Sequence, residues 1–281
     1  MKIFSREGVF FPPRQFLYDH FYTQVMNSWD PELYLKFGSA RTRPARDLVG
    51  HIPLDSPKRI VDLGCGPGNS TDVLKARWPE TDIWGVDSSG EMLRQAAGND
   101  PDIEWIQADL QDWTPPGTYD LIFSNAALQW IQPVEPLLDA CVEALEPGGV
   151  LAFQTPCNSE SPYYTSILSL AKQTEWADKF QGVSFLRYET TQSYYDLLSG
   201  HLLAIDAWET EYFHIMENVE AIVEWISGTG LRPCLDALPN ETEQVEFKAQ
   251  ILELYKAAYP KAKDGKVLFP FNRQFFVVQK R

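Results

Sequence analysis

The sequence predicts a doubly wound α/β fold, a mostly parallel sheet with helices on both faces. Three observations carry that prediction. From 58 to 155, short apolar runs alternate with helix-spaced stretches at a regular beat. The first run turns into the first helical stretch through a cluster of glycines. The 281 residues leave room for two domains, or for one large α/β domain carrying insertions. Alternation of this kind is the pattern of βαβ units, which bring parallel strands together by right-handed crossovers.

Residues 1–28 stand apart as an aromatic arm. Pro12-Pro13 punctuates it, and Phe10, Phe11, Phe16, Tyr18, Phe21 and Tyr22 crowd it with rings. Helical spacing from Gln15 to Met26 needs a surface to cover, either the arm's own domain or a partner. Within 29–281, Arg59 to Leu63 reads as a buried strand. Asn69 to Trp78 has helical spacing and stops at Pro79. Asp82 to Asp87 is a second strand, Gly90 to Ala97 a helix, Ile103 to Ala108 a third strand and Tyr119 to Ser124 a fourth. A helix from Pro136 to Leu145 ends at Glu146-Pro147-Gly148-Gly149, read as a tight turn. Gly149 to Gln154 follows as a fifth strand.

Beyond Thr155 the beat changes. Helical pieces fall at 164–176, 191–198, 219–227 and 242–259, and Trp208 to His214 alternates as a strand should. Val267 to Val278 closes the chain and is strand-like at its end, which brings the strands to seven. Residues 156–200 and 217–262 read as helical insertions, a lid over the carboxyl edge of the sheet.

Composition mainly excludes. Lys and Arg number 24 against 39 Asp and Glu, a net charge of −15. A charge of that size repels polyanions, so nucleic acid is not an expected partner. An acidic substrate meets the same field and needs specific arginines. Cys65, Cys141, Cys157 and Cys234 form no C-x-x-C pair, and the four histidines form no H-E-x-x-H. No metal site and no disulfide scaffold is therefore expected, and a reducing compartment is the default. No apolar run approaches the ~20 residues that span a bilayer, and the N-terminus lacks the pattern of a signal peptide. A cytoplasmic protein with no membrane partner is expected. The sequence sets no oligomeric state.

The strongest motif is Val61-Asp62-Leu63-Gly64-Cys65-Gly66-Pro67-Gly68-Asn69. Glycines at a strand-to-helix turn let the backbone approach a ligand closely, outside the carboxyl ends of the strands. The G-x-G-x-G form differs from the dinucleotide fingerprint, and Asp62 favours a partly cationic ligand over a pyrophosphate. Asp87 ends the second strand 25 residues after Asp62, where an acid can accept from both ribose hydroxyls. Asp109 follows the third strand and can accept from an adenine amino group.

These residues resemble the class I S-adenosylmethionine-dependent methyltransferases: VDLGCGPGN matches their first motif, GVDSS their ribose acid, and QADLQDW their adenine contact. The resemblance implies a Rossmann-like seven-stranded methyltransferase sheet and S-adenosyl-L-methionine as cofactor. It implies that Asp62 and Gly64 lie near the methionine ammonium and that Asp87 binds ribose, with Cys65, Gly66, Ser88 and Met92 also among the cofactor-binding residues. Asp109 and Leu110 would frame adenine, and Asn125 would face the methyl donor. A further resemblance, to the trans-aconitate methyltransferases, rests on Trp29 to Phe37, Arg41 to Leu48, Asn125 to Trp130, Tyr194 to Ser199 and Trp225 to Pro233. It runs from 29 to 281. Residues 1–28 have no counterpart in that family, and Cys157 to Tyr188 matches poorly.

Such a family methylates a carboxylate of a small acid, which is ionised at neutral pH (a reference pKa of ~4) and needs no general base. The task is alignment and desolvation, and no catalytic acid or base is expected. Arg41, Arg43, Arg232 and Arg273 are the candidate anchors for a di- or tricarboxylic acid, because a guanidinium binds carboxylates through two parallel bonds. Arg41 or Arg43 can instead pair with the methionine carboxylate. Trp130, Tyr194, Tyr195, Tyr212 and Trp225 could wall a pocket, Trp130 and Tyr195 being the favoured pair and core packing the reading for most of the others, while His214 reads as a partly buried structural histidine. Three alternatives stay open: another small metabolite as acceptor, through a carboxyl or hydroxyl; a protein that binds the cofactor without methyl transfer; and a nicotinamide oxidoreductase, which the glycine spacing disfavours.

Overall fold

The computed structural model describes residues 38–201 and 203–281, with side chains described from Thr42 onward. The aromatic arm at 1–28 and the side chain of Arg41 lie outside the described residues. The elements run α1 (Gly38–His51), β1 (Arg59–Leu63), α2 (Asn69–Arg77), β2 (Asp82–Asp87), α3 (Gly90–Asn99), β3 (Glu104–Gln107) and β4 (Tyr119–Asn125). A 3-10 turn (Leu128–Trp130), α4 (Glu135–Glu143) and β5 (Leu145–Pro156) follow. Helices α5 (Pro162–Ala171), α6 (Thr174–Ala177) and α7 (Thr191–Ser199) precede β6 (Leu203–Met216). Last come α8 (Val219–Ser227), α9 (Arg232–Ala237), α10 (Glu241–Ala258) and β7 (Val267–Lys280).

Seven strands form one sheet in the order β3-β2-β1-β4-β5-β7-β6. The first five are parallel, and β7 slots between β5 and β6 antiparallel to both. The expected mixed, mostly parallel sheet is the observed one. Its central strands are apolar on both faces because both faces are covered, whereas the edge strands β3 and β6 keep exposed positions. Ile60, Leu121, Phe123, Val150 and Phe275 pack against α1 and α2. Their neighbours in sequence, Val61, Ile122, Leu151 and Phe276, turn the other way onto α4 and α7. Helices α5, α6, α8, α9 and α10 share a separate core, which takes in Phe269 and Phe271 from the start of β7. Among the described residues, no helix is long and apolar enough to cross a membrane.

Local chemistry fixes several starts. Ser89, Thr190, Asn218 and Asn240 each accept a backbone N–H from the first turn of the helix they precede, satisfying a donor the helix cannot. Elsewhere the elements depart from expectation. The Glu146 to Gly149 turn is a bulge inside β5: Tyr119 pairs with Leu145, but Leu121 pairs with Val150. Gly148 takes φ +80° there, which favours glycine. The strand read at Trp208 to His214 extends to fourteen residues because β7 pairs along all of it. The helix read at 164–176 is two helices. Arg232 and Pro233 open a short helix, α9, that the sequence reading did not separate from its neighbours.

Candidate active site

The glycine loop between β1 and α2 is tied to the end of β2 where it leaves β1. The N–H groups of Gly64 and Cys65 donate to the Val86 carbonyl at the end of β2, at 2.8 and 3.1 Å. Gly64, Gly66 and Gly68 all have positive φ (+70°, +55° and +97°), which lets the loop double back without a side chain in the way. A Cβ built on Gly66 meets nothing within 4 Å, whereas one on Gly64 falls 2.1 Å from the Cβ of Ala127. The loop is therefore packed behind and open in front.

Asp87 holds that open side. Its carboxylate accepts the Gly66 N–H at 2.9 Å and the Ser89 N–H at 2.8 Å. Burial pushes its pKa up, and the backbone donors pull it back. Asp62 lies beneath the loop, fully buried, with one oxygen accepting from the hydroxyls of Ser70 and Thr71, each at 2.7 Å. Burial raises its pKa to about 6. Among the described residues, its other oxygen and the Ser88 hydroxyl have no hydrogen-bond partner.

A cavity of about 1180 Å³, counted out to its mouth, opens over the carboxyl ends of β1, β2, β3 and β4. Strand order reverses between β1 and β4, and a doubly wound sheet binds its ligands at such a point. One end is walled by Gly64, Gly66, Asp87, Ser88, Met92, Asp109 and Leu110. The middle is walled by Asn125, Gln129 and Trp130, and the far end by Tyr163, Leu186, Tyr188, Trp225, Thr229 and Arg273.

The far end is polar but closed. Arg273, on β7 and only 4% exposed, donates through Nη1 to Gln154 Oε1 at 3.1 Å and lies 5.0 Å over the Phe271 ring. The Tyr163 and Tyr188 hydroxyls meet at 2.5 Å, and burial raises the pKa of both. Tyr164 donates to the Leu186 carbonyl, which anchors that loop to α5. In the middle, Ala126 takes φ +58°, rare for a residue with a side chain. Its N–H is bonded to the Gln154 carbonyl at 2.9 Å, and its own carbonyl accepts from Gln129 Nε2 at 2.6 Å.

Of the residues singled out from sequence, Gly64, Gly66, Asp87, Ser88, Met92, Asp109, Leu110, Asn125, Trp130 and Arg273 meet in this cavity. Others do not. Asp62 and Cys65 sit behind the wall; the Cys65 thiol is buried, and burial raises its pKa. Arg43 is turned to a separate groove, over the Tyr212 ring at 5.0 Å and 3.9 Å from Asp47. Arg232 is outside the cavity wall and pairs with Asp236 one turn on, at 2.8 Å. Tyr195 is 48% exposed, since Tyr194 turns the buried face of α7 inward. Tyr163, Leu186, Tyr188, Gln129 and Thr229 were not singled out as site residues, although Gln129 lies within the Asn125 to Trp130 block and Thr229 within the block that carries Arg232.

Comparison with known proteins agrees with this geometry. A methyltransferase domain family model matches residues 37–203. The chain is 46% identical over 255 residues to the trans-aconitate 2-methyltransferase of Azoarcus sp. (strain BH72), covering 90% of this chain and 99% of that one. It is 44% identical over 257 residues to the trans-aconitate 2-methyltransferase of Rhodopseudomonas palustris (strain BisB18), covering 91% and 100%. Among solved structures, the YcgJ protein of Bacillus subtilis superposes with a TM-score of 0.58 at 14% identity, covering 85% of this chain and 99% of that one. The [4+2]-cyclase SpnF superposes with a TM-score of 0.52 at 13% identity, covering 85% and 81%. Likeness at these identities shows the fold alone.

Proposed function

This chain belongs to the methyltransferase family, and on that premise we propose that it is an S-adenosylmethionine-dependent O-methyltransferase. The acceptor is a small di- or tricarboxylic acid, trans-aconitate foremost, and the product is its methyl ester. The observation that carries the substrate class is the buried guanidinium of Arg273, at the far end of a cavity whose near end is acidic. A buried, permanent cation on one wall suits a carboxylate.

The near end fits S-adenosylmethionine. The open face of Gly66 leaves a cradle a side chain would fill. Asp87 keeps a carboxylate at the end of β2 for a ribose, and next to it stands the Ser88 hydroxyl, without a hydrogen-bond partner among the described residues. Asp109 and Leu110 would flank an adenine. Bound there, the cofactor supplies an electrophilic methyl group on a sulfonium.

The protein's own residues then have three tasks. Arg273 holds a carboxylate of the acceptor. Trp130, Tyr163, Tyr188 and Trp225 exclude water, which strengthens every charged contact inside. The strand-end acids and Arg273 fix the angle of approach, worth more here than proton transfer because the attacking carboxylate is already ionised. The helical insertions at 156–200 and 217–262 act as the lid, supported by Tyr163, Leu186, Tyr188, Trp225 and Thr229 reaching the cavity from them. A cytosolic setting accompanies this reading, supported by four free cysteines.

Purified protein incubated with S-adenosylmethionine and trans-aconitate should yield a monomethyl ester by mass spectrometry. Turnover on another acid, with none on trans-aconitate, would keep the reaction and remove the substrate. Tight cofactor binding by calorimetry with no methyl loss across a panel of acids would remove the enzyme.

A further inference from the structure

We infer that Gln154 is a positioning residue that sets the hydrogen-bond polarity of the acceptor site, making Asn125 present its amide N–H groups to an acceptor carboxylate. The inference rests on the function proposed above and concerns a residue outside the cavity wall. Gln154 is fully buried on β5, paired in register with Asn125 of β4. Its side chain bridges two residues that do line the cavity. Arg273 Nη1 donates to Gln154 Oε1 at 3.1 Å, and Gln154 Nε2 donates to Asn125 Oδ1 at 2.7 Å.

The direction of this chain is forced. A guanidinium only donates, so the atom of Gln154 facing it is the carbonyl oxygen. The amide nitrogen of Gln154 then faces Asn125, which must answer with its own oxygen. That leaves the Asn125 Nδ2 hydrogens as the group available to the cavity, and its side chain makes no other hydrogen bond among the described residues. Arg273 therefore orients, through Gln154 of β5, a neutral amide donor on β4, two strands away, so that charge and donor meet one anion from two sides. Donors held this way, Arg273 buried and Asn125 half-buried with its amide tied by Gln154, cost little reorganisation when the anion arrives. A carboxylate fits both ends of the chain; a neutral hydroxyl or an amine fits neither as well.

The test is Gln154→Glu, which keeps the shape and reverses the polarity. The new carboxylate accepts from Arg273, cancelling its charge, and also accepts from Asn125, whose amide turns and shows its oxygen to the cavity. The KM for trans-aconitate should rise about tenfold or more. The affinity for S-adenosylhomocysteine by calorimetry should stay within about twofold, and the melting temperature near that of the wild type. Asn125→Asp, which leaves Gln154 in place, should raise the same KM and decides the matter should Gln154→Glu fail to fold. An unchanged KM in the folded variants overturns the inference. So does weakened S-adenosylhomocysteine binding with KM unchanged, which would assign the Asn125 amide to the cofactor's carboxylate. A wild-type protein that methylates no carboxylate at all removes the proposed function and this inference with it.

Discussion

Gly64 stands so close to Ala127 that a methyl group on it would lie 2.1 Å from the Ala127 β-carbon. The glycine of the loop after β1 and the turn after β4 are thus pressed together at the floor of the cavity, and Gly64 also needs φ +70°. Gly64→Ala should therefore fail twice, by overlap and by backbone strain. Expected is a fall in stability of about 2–4 kcal/mol, read by denaturant titration. Cofactor binding should drop below detection in calorimetry at concentrations where the wild type saturates.

Arg273→Lys keeps the charge and loses the fork. Lysine cannot bind a carboxylate through two parallel bonds from a planar group, and its shorter contact surface leaves Gln154 Oε1 without a fixed donor. The KM for the acid should rise about ten- to a hundredfold, with cofactor affinity unchanged. Steady-state kinetics with the acid varied at saturating cofactor would reveal this, and an unchanged KM would move the anchor elsewhere.

Asp62 should make cofactor binding depend on pH. Its folded-state pKa is about 6 because of burial, against ~4 in an unfolded chain. The folded protein thus holds this proton more tightly, so the stability it contributes is complete below about pH 4 and is lost as pH rises through about 6. A bound cation in the cavity favours the ionised form. Binding should strengthen between pH 5 and 7 and release protons over that window. Calorimetry in buffers of different ionisation enthalpy measures the release, and Asp62→Asn should abolish it. The melting temperature of the ligand-free Asp62→Asn variant, relative to wild type, should be higher at pH 8 than at pH 5.

His214→Ala should change the rate by less than about tenfold. The ring is buried against Trp225, with centroids 4.6 Å apart, and does not line the cavity. A carboxylate acceptor has no proton to give up. Loss of a general base costs about 10²–10⁴ in rate, so a collapse of that size would instead favour a hydroxyl acceptor.

How much of this was legible in the sequence follows from which contacts are local. The glycine loop, Asp87 and Asp109 are strand ends followed by turns, and strand ends can be read from apolar runs a few residues long. Arg273 was visible as a candidate, but only the pairing of β7 with β5 distinguishes it from Arg43 and Arg232. Arg232 belongs to the right block and the wrong turn: its partner Asp236 is one helical turn away, a spacing that could have flagged it as locally satisfied. Tyr195 was a phase error. Leu198 lies four residues after Tyr194 and is buried with it, so i, i+4 spacing marks Tyr194 as the inward residue. Tyr163, Leu186 and Tyr188 carry no motif, and their place depends on the packing of helices with one another. The bulge in β5 was hidden because Glu-Pro-Gly-Gly reads equally well as a turn between elements.

The antiparallel entry of β7 between β5 and β6 bears on the order in which the two halves of the site can come into being. The donor end is drawn from strands that succeed one another closely along the chain. The far end of the cavity waits on a contact between Gln154 and Arg273, 119 residues apart in sequence. Closing so long a loop costs more entropy than joining neighbouring strands, and contacts of that range are the slow ones in folding. The near end of the cavity thus needs only closures between strands close in sequence, while its far end carries the larger entropic cost.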